Sequence, residues 1–486
     1  MKHTKTAGVY SALIAATAAI TVIAGGTASA SAASASVRST GTWGNAQRIS
    51  TPPTRPFYGS NLGSISCAPK GYCAALGGYV KNTKAFTGVP YVVTESKGKW
   101  SRIKVFDLSL LKKSLPSAGA DLVACPSARD CTVIGGYNDT LGQSAPFTVN
   151  EKNGIWGKAH AIAGINAGIG GPGAEIDSLA CTSAGNCVAG GQVGNGNGAG
   201  SEDTQPFVVS EMNGVWGDAE DLPGTSGLAI VAGDVDFISC TGTTCLGVGT
   251  YSVGTDMSSV THQYVAVAKN GVWGTAMPIP GLPSDENSVG PLSCSPGGTC
   301  TVVAGSGSDQ GRPFTVSEKN GTWNTRHNKI PGLGGALFSL ACPSAGDCSA
   351  DGAFTGPASR FDLPFVVTEH NGTWSKAEPV PGVLALSHGS DLFQASFANL
   401  SCGAAGNCAA IGYVQVSKAR SIAYVVNEVG GRWNRAHVVP GIAKLEKRGR
   451  SAGNAIACWS AGHCAADGFF SFRVPNTPIA FVVTER

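Results

Sequence analysis

The chain has 486 residues with a net charge of +3, 13% charged and 42% apolar residues, and 68 glycines. So dilute a charge excludes a disordered polyelectrolyte and gives no electrostatic footprint for nucleic acid, and so much glycine favours strands and turns over helices. Sixteen cysteines at regular spacing exclude a reducing cytosol and point to an oxidising compartment.

In chain order, Lys2, His3 and Lys5 precede an apolar, alanine-rich stretch at 7–26, and Ala28, Ser29 and Ala30 supply the small residues a signal peptidase accepts. A signal peptide at 1–30 is expected, then a disordered mature N-terminus at 31–40 and one domain over 41–486. The same apolar stretch is long enough to span a bilayer, but its small-residue exit favours removal. The expected fate is secretion to the extracellular space, with no membrane attachment after cleavage.

The cysteines then set a period. They fall in eight close pairs: Cys67 with Cys73, Cys125 with Cys131, Cys181 with Cys187, Cys240 with Cys245, Cys294 with Cys300, Cys342 with Cys348, Cys402 with Cys408, and Cys458 with Cys464. First cysteines recur every 48 to 60 residues. Self-similarity at such a period marks a repeat architecture before any local propensity is weighed. After each pair comes a small-apolar stretch, then a variable loop, then an aromatic-aliphatic run. Seven of the eight runs end in glutamate, at Glu95, Glu151, Glu211, Glu318, Glu369, Glu428 and Glu485, and Lys269 is read as its replacement in the fourth unit. A Gly-x-Trp follows at Trp100, Trp156, Trp216, Trp273, Trp323, Trp374 and Trp433, and Trp43 stands alone near the start.

Each unit reads as four short strands. Strand a ends at the first cysteine, strand b starts at the second, strand c is the Phe-Val-Val run, and strand d carries the tryptophan. Five of the seven c–d turns are Asn-Gly, a pair that tolerates the positive φ of a tight hairpin. The cysteines face each other across the a–b turn, so a disulfide in every unit is expected; zinc is the competing reading, but its ligand pairs sit closer together and need a second pair nearby.

Four strands cannot bury a core alone, so the units must stack as a rod or a ring. Residues 41–49 form an orphan strand d and residues 481–485 an orphan strand c, which together make one unit. That offset selects a ring whose first strand pairs with the last unit and covers the exposed edge. The expected fold is all-β, a single eight-bladed β-propeller with four antiparallel strands per blade. The unit text resembles bacterial secreted propellers with WD40-, kelch- or Asp-box-like repeats over the whole mature chain, and Ser-Glu-Lys-Asn-Gly-Thr-Trp at 317–323 is similar to the Asp-box hairpin.

Chemistry is harder to find. The recurring glutamates are expected to serve the c–d hairpin, and the recurring tryptophans to pack between sheets. The histidines share no metal-ligand spacing, and no nucleophile elbow or helical zinc motif appears. No cofactor is expected. Trp459 is a candidate ligand-binding aromatic because it sits inside an a–b turn. Asp351 and Asp467 interrupt strand b where other units are apolar, and are read as ligand-binding candidates or as strand ends facing a wet channel. Asp234 and Asp236 join them as carboxylates that could converge for glycosidase chemistry. Residues 195–203 offer oxygen ligands for calcium without the spacing of an EF-hand loop. The expected function is a secreted, monomeric, non-catalytic binding or scaffold protein. It would recognise a glycan or protein, with no nucleic acid partner, through b–c loops at 138–145, 192–205 and 353–363. The alternative is a glycosidase-like enzyme with its site at the channel mouth, where non-repeated acidic side chains should cluster.

Overall fold

The computed structural model describes residues 41–50, 59–81, 87–165, 173–194, 204–225, 228, 230–255, 258–282, 289–305, 313–332, 335–355, 362–387, 395–472 and 477–486. The expected signal peptide and the stretch 31–40 lie outside them. The described residues form eight antiparallel sheets arranged as the blades of one propeller. In blade 1, strands a to d are Ser60–Ala68, Tyr72–Val80, Gly88–Ser96 and Lys99–Trp100, and Lys104–Val105 continues strand d after a break.

Strand a is the innermost strand. In blades 2 to 8 it is Leu122–Ser127, Ala174–Ser183, Ile230–Thr241, Val289–Cys294, Gly335–Ser344, Ala395–Ala404 and Arg450–Ser460. Each packs against the next, and the last returns to Ser60–Ala68, which closes the circle. The seam is made by the orphan strands. Gln47 pairs with Val482 and Arg48 with Phe481, while Trp43 bridges to Glu485. Gly44 donates its N–H to Thr484 O at 2.9 Å and Ile49 donates to Ala480 O at 2.9 Å. The first and last described segments therefore lie side by side, and blade 8 takes its strand d from residues 41–49.

All eight cysteine pairs are disulfides, one across each a–b turn. Cys67 is bonded to Cys73, Cys125 to Cys131, Cys181 to Cys187 and Cys240 to Cys245 in blades 1 to 4. Cys294 is bonded to Cys300, Cys342 to Cys348, Cys402 to Cys408 and Cys458 to Cys464 in blades 5 to 8. The Cα separations are 3.9 to 4.1 Å, as the facing positions of a tight hairpin require. None of these cysteines is left to bind a metal or a ligand, so the zinc alternative is overturned.

In the Asn-Gly turns both residues take positive φ, as at Asn153 (52°) and Gly154 (83°). The small residue that ends each strand-b stretch also has a steric cause. Gly352 faces Phe365 across the b–c pair, and a Cβ there would lie 2.7 Å from the ring and 2.0 Å from Ala336 O. The ring it admits is fully buried, which stabilises the blade by about 1.5 to 3 kcal/mol per aromatic side chain.

The recurring glutamates do more than serve their own hairpins. All seven are buried, and six accept a hydrogen bond from a side chain of the preceding blade. Tyr72 Oη donates to Glu151 at 2.5 Å, Asn328 to Glu369 at 2.8 Å, and Ser349 and Thr368 to Glu428 at 2.7 and 2.6 Å. Asn150 donates to Glu211, Asn427 to Glu485, and Arg486 to Glu95. At three joints the residue before the glutamate also receives the next blade's indole N–H, from Trp433 to Thr368 at 3.1 Å, Trp43 to Asn427 at 2.8 Å and Trp100 to Thr484 at 3.1 Å. Trp374 instead donates to Thr315, and Trp216 Nε1 is buried without a partner among the described residues. The glutamates thus clasp one blade to the next, and at three joints a tryptophan indole adds to the clasp.

Blade 4 is the exception. Ala268, not Lys269, occupies the glutamate position opposite Trp273, which corrects the sequence alignment. Trp273 Nε1 and Ser210 Oγ are buried there without a partner. On its other side Glu318 accepts only from Gly321 of its own hairpin among the described residues. Blade 4 stays in the ring with twelve-residue strands, held through bonds such as Ile238 N–H to Ser178 Oγ at 2.7 Å and Cys294 N–H to Ser239 Oγ at 2.9 Å.

Candidate functional site

Side chains of an innermost strand alternate between the two faces of its blade, where neighbouring blades cover them. A residue reaches the channel when a β-bulge leaves it unpaired and re-aims it. Strand a is irregular in every blade at the residue four before the first cysteine, as between Leu62 and Ser64, Ile176 and Ser178, Asp234 and Phe237, and Gly453 and Ala455. A Cβ at Gly63 would meet nothing within 4 Å, and Phe338 is 42% exposed, so this position looks onto open space.

Around the ring the bulge carries Gly63, Asp121, Asp177, Asp236, Gly290, Phe338, Ala398 and Asn454. Three adjacent blades therefore set a carboxyl at the same place, and Glu175 and Asp234 lie two residues earlier on two of those strands. Their fields interact across the blades. Asp177 is raised by removal from bulk water and then by Asp234, Glu175 and Asp121. Removal from water lifts Asp236 to about 7, with help from Asp177, and lifts Asp121 to about 6, with help from Glu175. Burial also raises Asp234, with help from Asp236, and Asp177 Oδ2 and Asp234 Oδ1 are both buried without a hydrogen-bond partner among the described residues. Like charges this close cannot all ionise, so near neutral pH the arc holds protons and can both donate and accept hydrogen bonds.

Asp234 and Asp236 lie two residues apart on strand Ile230–Thr241, close enough for the charge of Asp236 to raise Asp234. Asp351 and Asp467 do not join them. Both are 0% exposed inside blades 6 and 8, at positions filled by Leu76, Ile134 and Ile411 elsewhere, which corrects the expectation that they face a wet channel. Ser339 and Ala455 are their cross-strand neighbours, and neither carboxyl completes a well-formed hydrogen bond to either oxygen. Burial pushes Asp351 up to about 8 and Asp467 well above the usual carboxylate range. Trp459 is half-buried, stacked edge-on to His463 and placed over Gly71 in the a–b turn of blade 1. It bridges two turns instead of projecting from one.

The sequence reading missed Asp121, Asp177 and Glu175. The signal was available, since aligning the units on their first cysteine puts Asp121, Asp177 and Asp236 in one column. The candidate calcium stretch 195–203 and much of the b–c loops lie outside the described residues. No group of metal-ligating side chains occurs among the described residues. At the outer rim of the seam, a cleft of about 290 Å³ is lined by Trp43, Asn427, Asn434, Arg435, His437 and Pro440.

The sequence matches no known family model and no curated protein. Among solved structures, the chain is similar to a PL25 ulvan lyase at 10% identity and TM-score 0.41, covering 85% of this chain and 99% of that one. It is similar to the propeller domain of a trilobed protease from Pyrococcus furiosus at 7% identity and TM-score 0.42, over 78% and 95% of the two chains. Sqt1 from Chaetomium thermophilum gives 12% identity and TM-score 0.43, over 88% and 95%. These are likenesses of fold alone. Eight disulfides suit an oxidising, extracellular setting, and no helix among the described residues is long and apolar enough to cross a membrane.

Proposed function

We propose that the protein is a secreted, non-catalytic binding module that recognises a glycan or a protein at the mouth of its channel, on the face bearing the b–c and d–a links. One observation carries this reading. The frame repeats from blade to blade, whereas the bulge side chains differ and break the ring's symmetry with a carboxyl arc over blades 2 to 4. A partly protonated arc accepts from sugar hydroxyls or ammonium groups and donates to ring or carbonyl oxygens. Asp351, Asp467 and Trp459 take no part in it.

The test is a glycan and protein array with the secreted protein, followed by Asp177→Asn and Asp236→Asn. Loss of affinity by tenfold or more in either variant is expected, and undiminished binding in both refutes the location. A second reading has one observation in its favour. Asp177 and Asp234, on the inner strands of adjacent blades, are two carboxyls that burial raises well above the usual carboxylate range, and a carbohydrate-active enzyme needs such a pair for general acid and base. Turnover of a polysaccharide or chromogenic glycoside that vanishes with Asp177→Asn would establish it, and absence of turnover across neutral and acidic substrates would exclude it.

A further inference from the structure

The same face carries a second charged region, of opposite sign, at the corner between blades 7 and 8. It is built around the helix Ile442–Glu446 in the link that enters strand a of blade 8. Glu446 is 0% exposed and accepts from Arg420 Nη2 at 2.6 Å and Ser451 Oγ at 2.7 Å. Arg450 Nε donates to Ala419 O at 2.8 Å, and Ser421 Oγ to Ser451 O at 3.1 Å. These bonds fix the b–c turn of blade 7 against the link. Two chain segments far apart in sequence thereby hold one shape.

What that shape presents is positive charge. The buried carboxylate neutralises only Arg420. Lys418, Lys444, Lys447, Arg448 and Arg450 are all exposed, and none has an ion-pair partner among the described residues. Against a net charge of +3 for the whole chain, five such cations in one corner are a strong local excess. Lys447 and Arg448 also hold consecutive left-handed conformations, φ 48° and 68°, which cost non-glycine residues free energy, and both side chains are exposed.

We propose that this corner binds an acidic polysaccharide bearing carboxylate or sulfate groups, which rests on the binding-module reading and names its ligand class. Among the described residues the one aromatic ring found against these cations is Phe472, half-buried, with Lys447 Nζ 5.8 Å from its centre, which is no exposed platform for stacking nucleobases. Among the described residues, none of the exposed large apolar side chains belongs to the 418–420 turn or the 442–450 link, so nothing there enters a lipid surface. Separate lysine and arginine heads on tethered loops match a polymer whose charges repeat along its length.

The experiment measures binding of the full secreted protein to polygalacturonate and dextran sulfate, with neutral dextran, anionic vesicles and duplex DNA as comparisons. A triple variant, Lys444→Ser with Lys447→Asn and Arg448→Asn, spares Glu446, Arg420 and Ser451, and asparagine tolerates the left-handed backbone. Binding to an acidic polysaccharide, weakened at least tenfold in the variant and with a shallower salt dependence, is the expected result. Undiminished binding by the variant overturns the site, and tighter binding to vesicles or DNA overturns the ligand class. Binding of neutral glycans alone overturns this proposal while leaving the channel-mouth reading standing. Failure to bind any glycan or protein removes both.

Discussion

Replacing Asp351 with asparagine removes a buried titration without changing the side chain's outline. The carboxyl is 0% exposed, lies near Tyr424 of the next blade, and holds its proton up to about pH 8. In the unfolded chain it ionises near pH 3.9. Between those values the unfolded state releases a proton that the native state keeps, so the stability it contributes is full below about pH 4 and lost as pH rises through about 8. Four units at about 1.4 kcal/mol each set an upper bound of roughly 5 to 6 kcal/mol, and about 4 kcal/mol at pH 7. Local relaxation and water entry reduce this, so about 2 to 4 kcal/mol is the expected measurable part. Guanidinium unfolding with disulfides intact, at pH 4.5, 6, 7.5 and 8.5, should show Asp351→Asn gaining on the wild type as pH rises. At the acid end it gains nothing, because the amide buries two donors where the carboxyl buried one. Parallel pH profiles for the two proteins would refute the reasoning, as would a wild type that grows more stable from pH 5 to 8.

The other predictions concern how the ring is held together. Deleting residues 41–49 removes Trp43, Ile49 and the fourth strand of blade 8, so the unfolding midpoint should fall and light scattering should report aggregation; an unchanged midpoint would contradict closure at this seam. Glu428→Ala strands the buried donor Ser349 and the half-buried donor Thr368 and should cost about 2 to 3 kcal/mol, while Glu428→Gln keeps an acceptor and loses less; equal losses would show that the hydrogen bonds do not matter. Both joints of blade 4 lack the glutamate clasp, so hydrogen exchange should find its edge amides opening before those of blades 6 to 8, and uniform protection would count against the clasp. Replacing Cys458 and Cys464 by serine should cost about 2 kcal/mol on the chain-entropy account, read as a shifted denaturation midpoint.

Particular residues show where the sequence was legible. The cysteine period, the Asn-Gly turns and the orphan strands at 41–49 and 481–485 express local needs that every unit must satisfy, so repetition amplified them into a fold. The candidate site follows the opposite logic. Asp177 and Asp236 matter because they differ from the bulge residues of other blades, and a signal that breaks a repeat is seen only after the units are aligned in register. Asp351 and Asp467 broke the pattern too, but in strand b, where alternation alone does not say which breaks face water and which face a neighbouring blade.

The sequence by itself determined the strand order, the disulfide pairing, the number of blades and the way the ring closes. These depend on spacing and turn chemistry within one unit of about 56 residues. Only the tertiary structure decided what lies between units. It matched six of the seven glutamates to a donor one blade back, left blade 4 without that clasp, gathered carboxyls from blades 2 to 4 at the channel, and brought Arg420 against Glu446. Such contacts join residues of different repeats, and the curvature that sets their distances belongs to the packing of whole blades, which no single unit encodes.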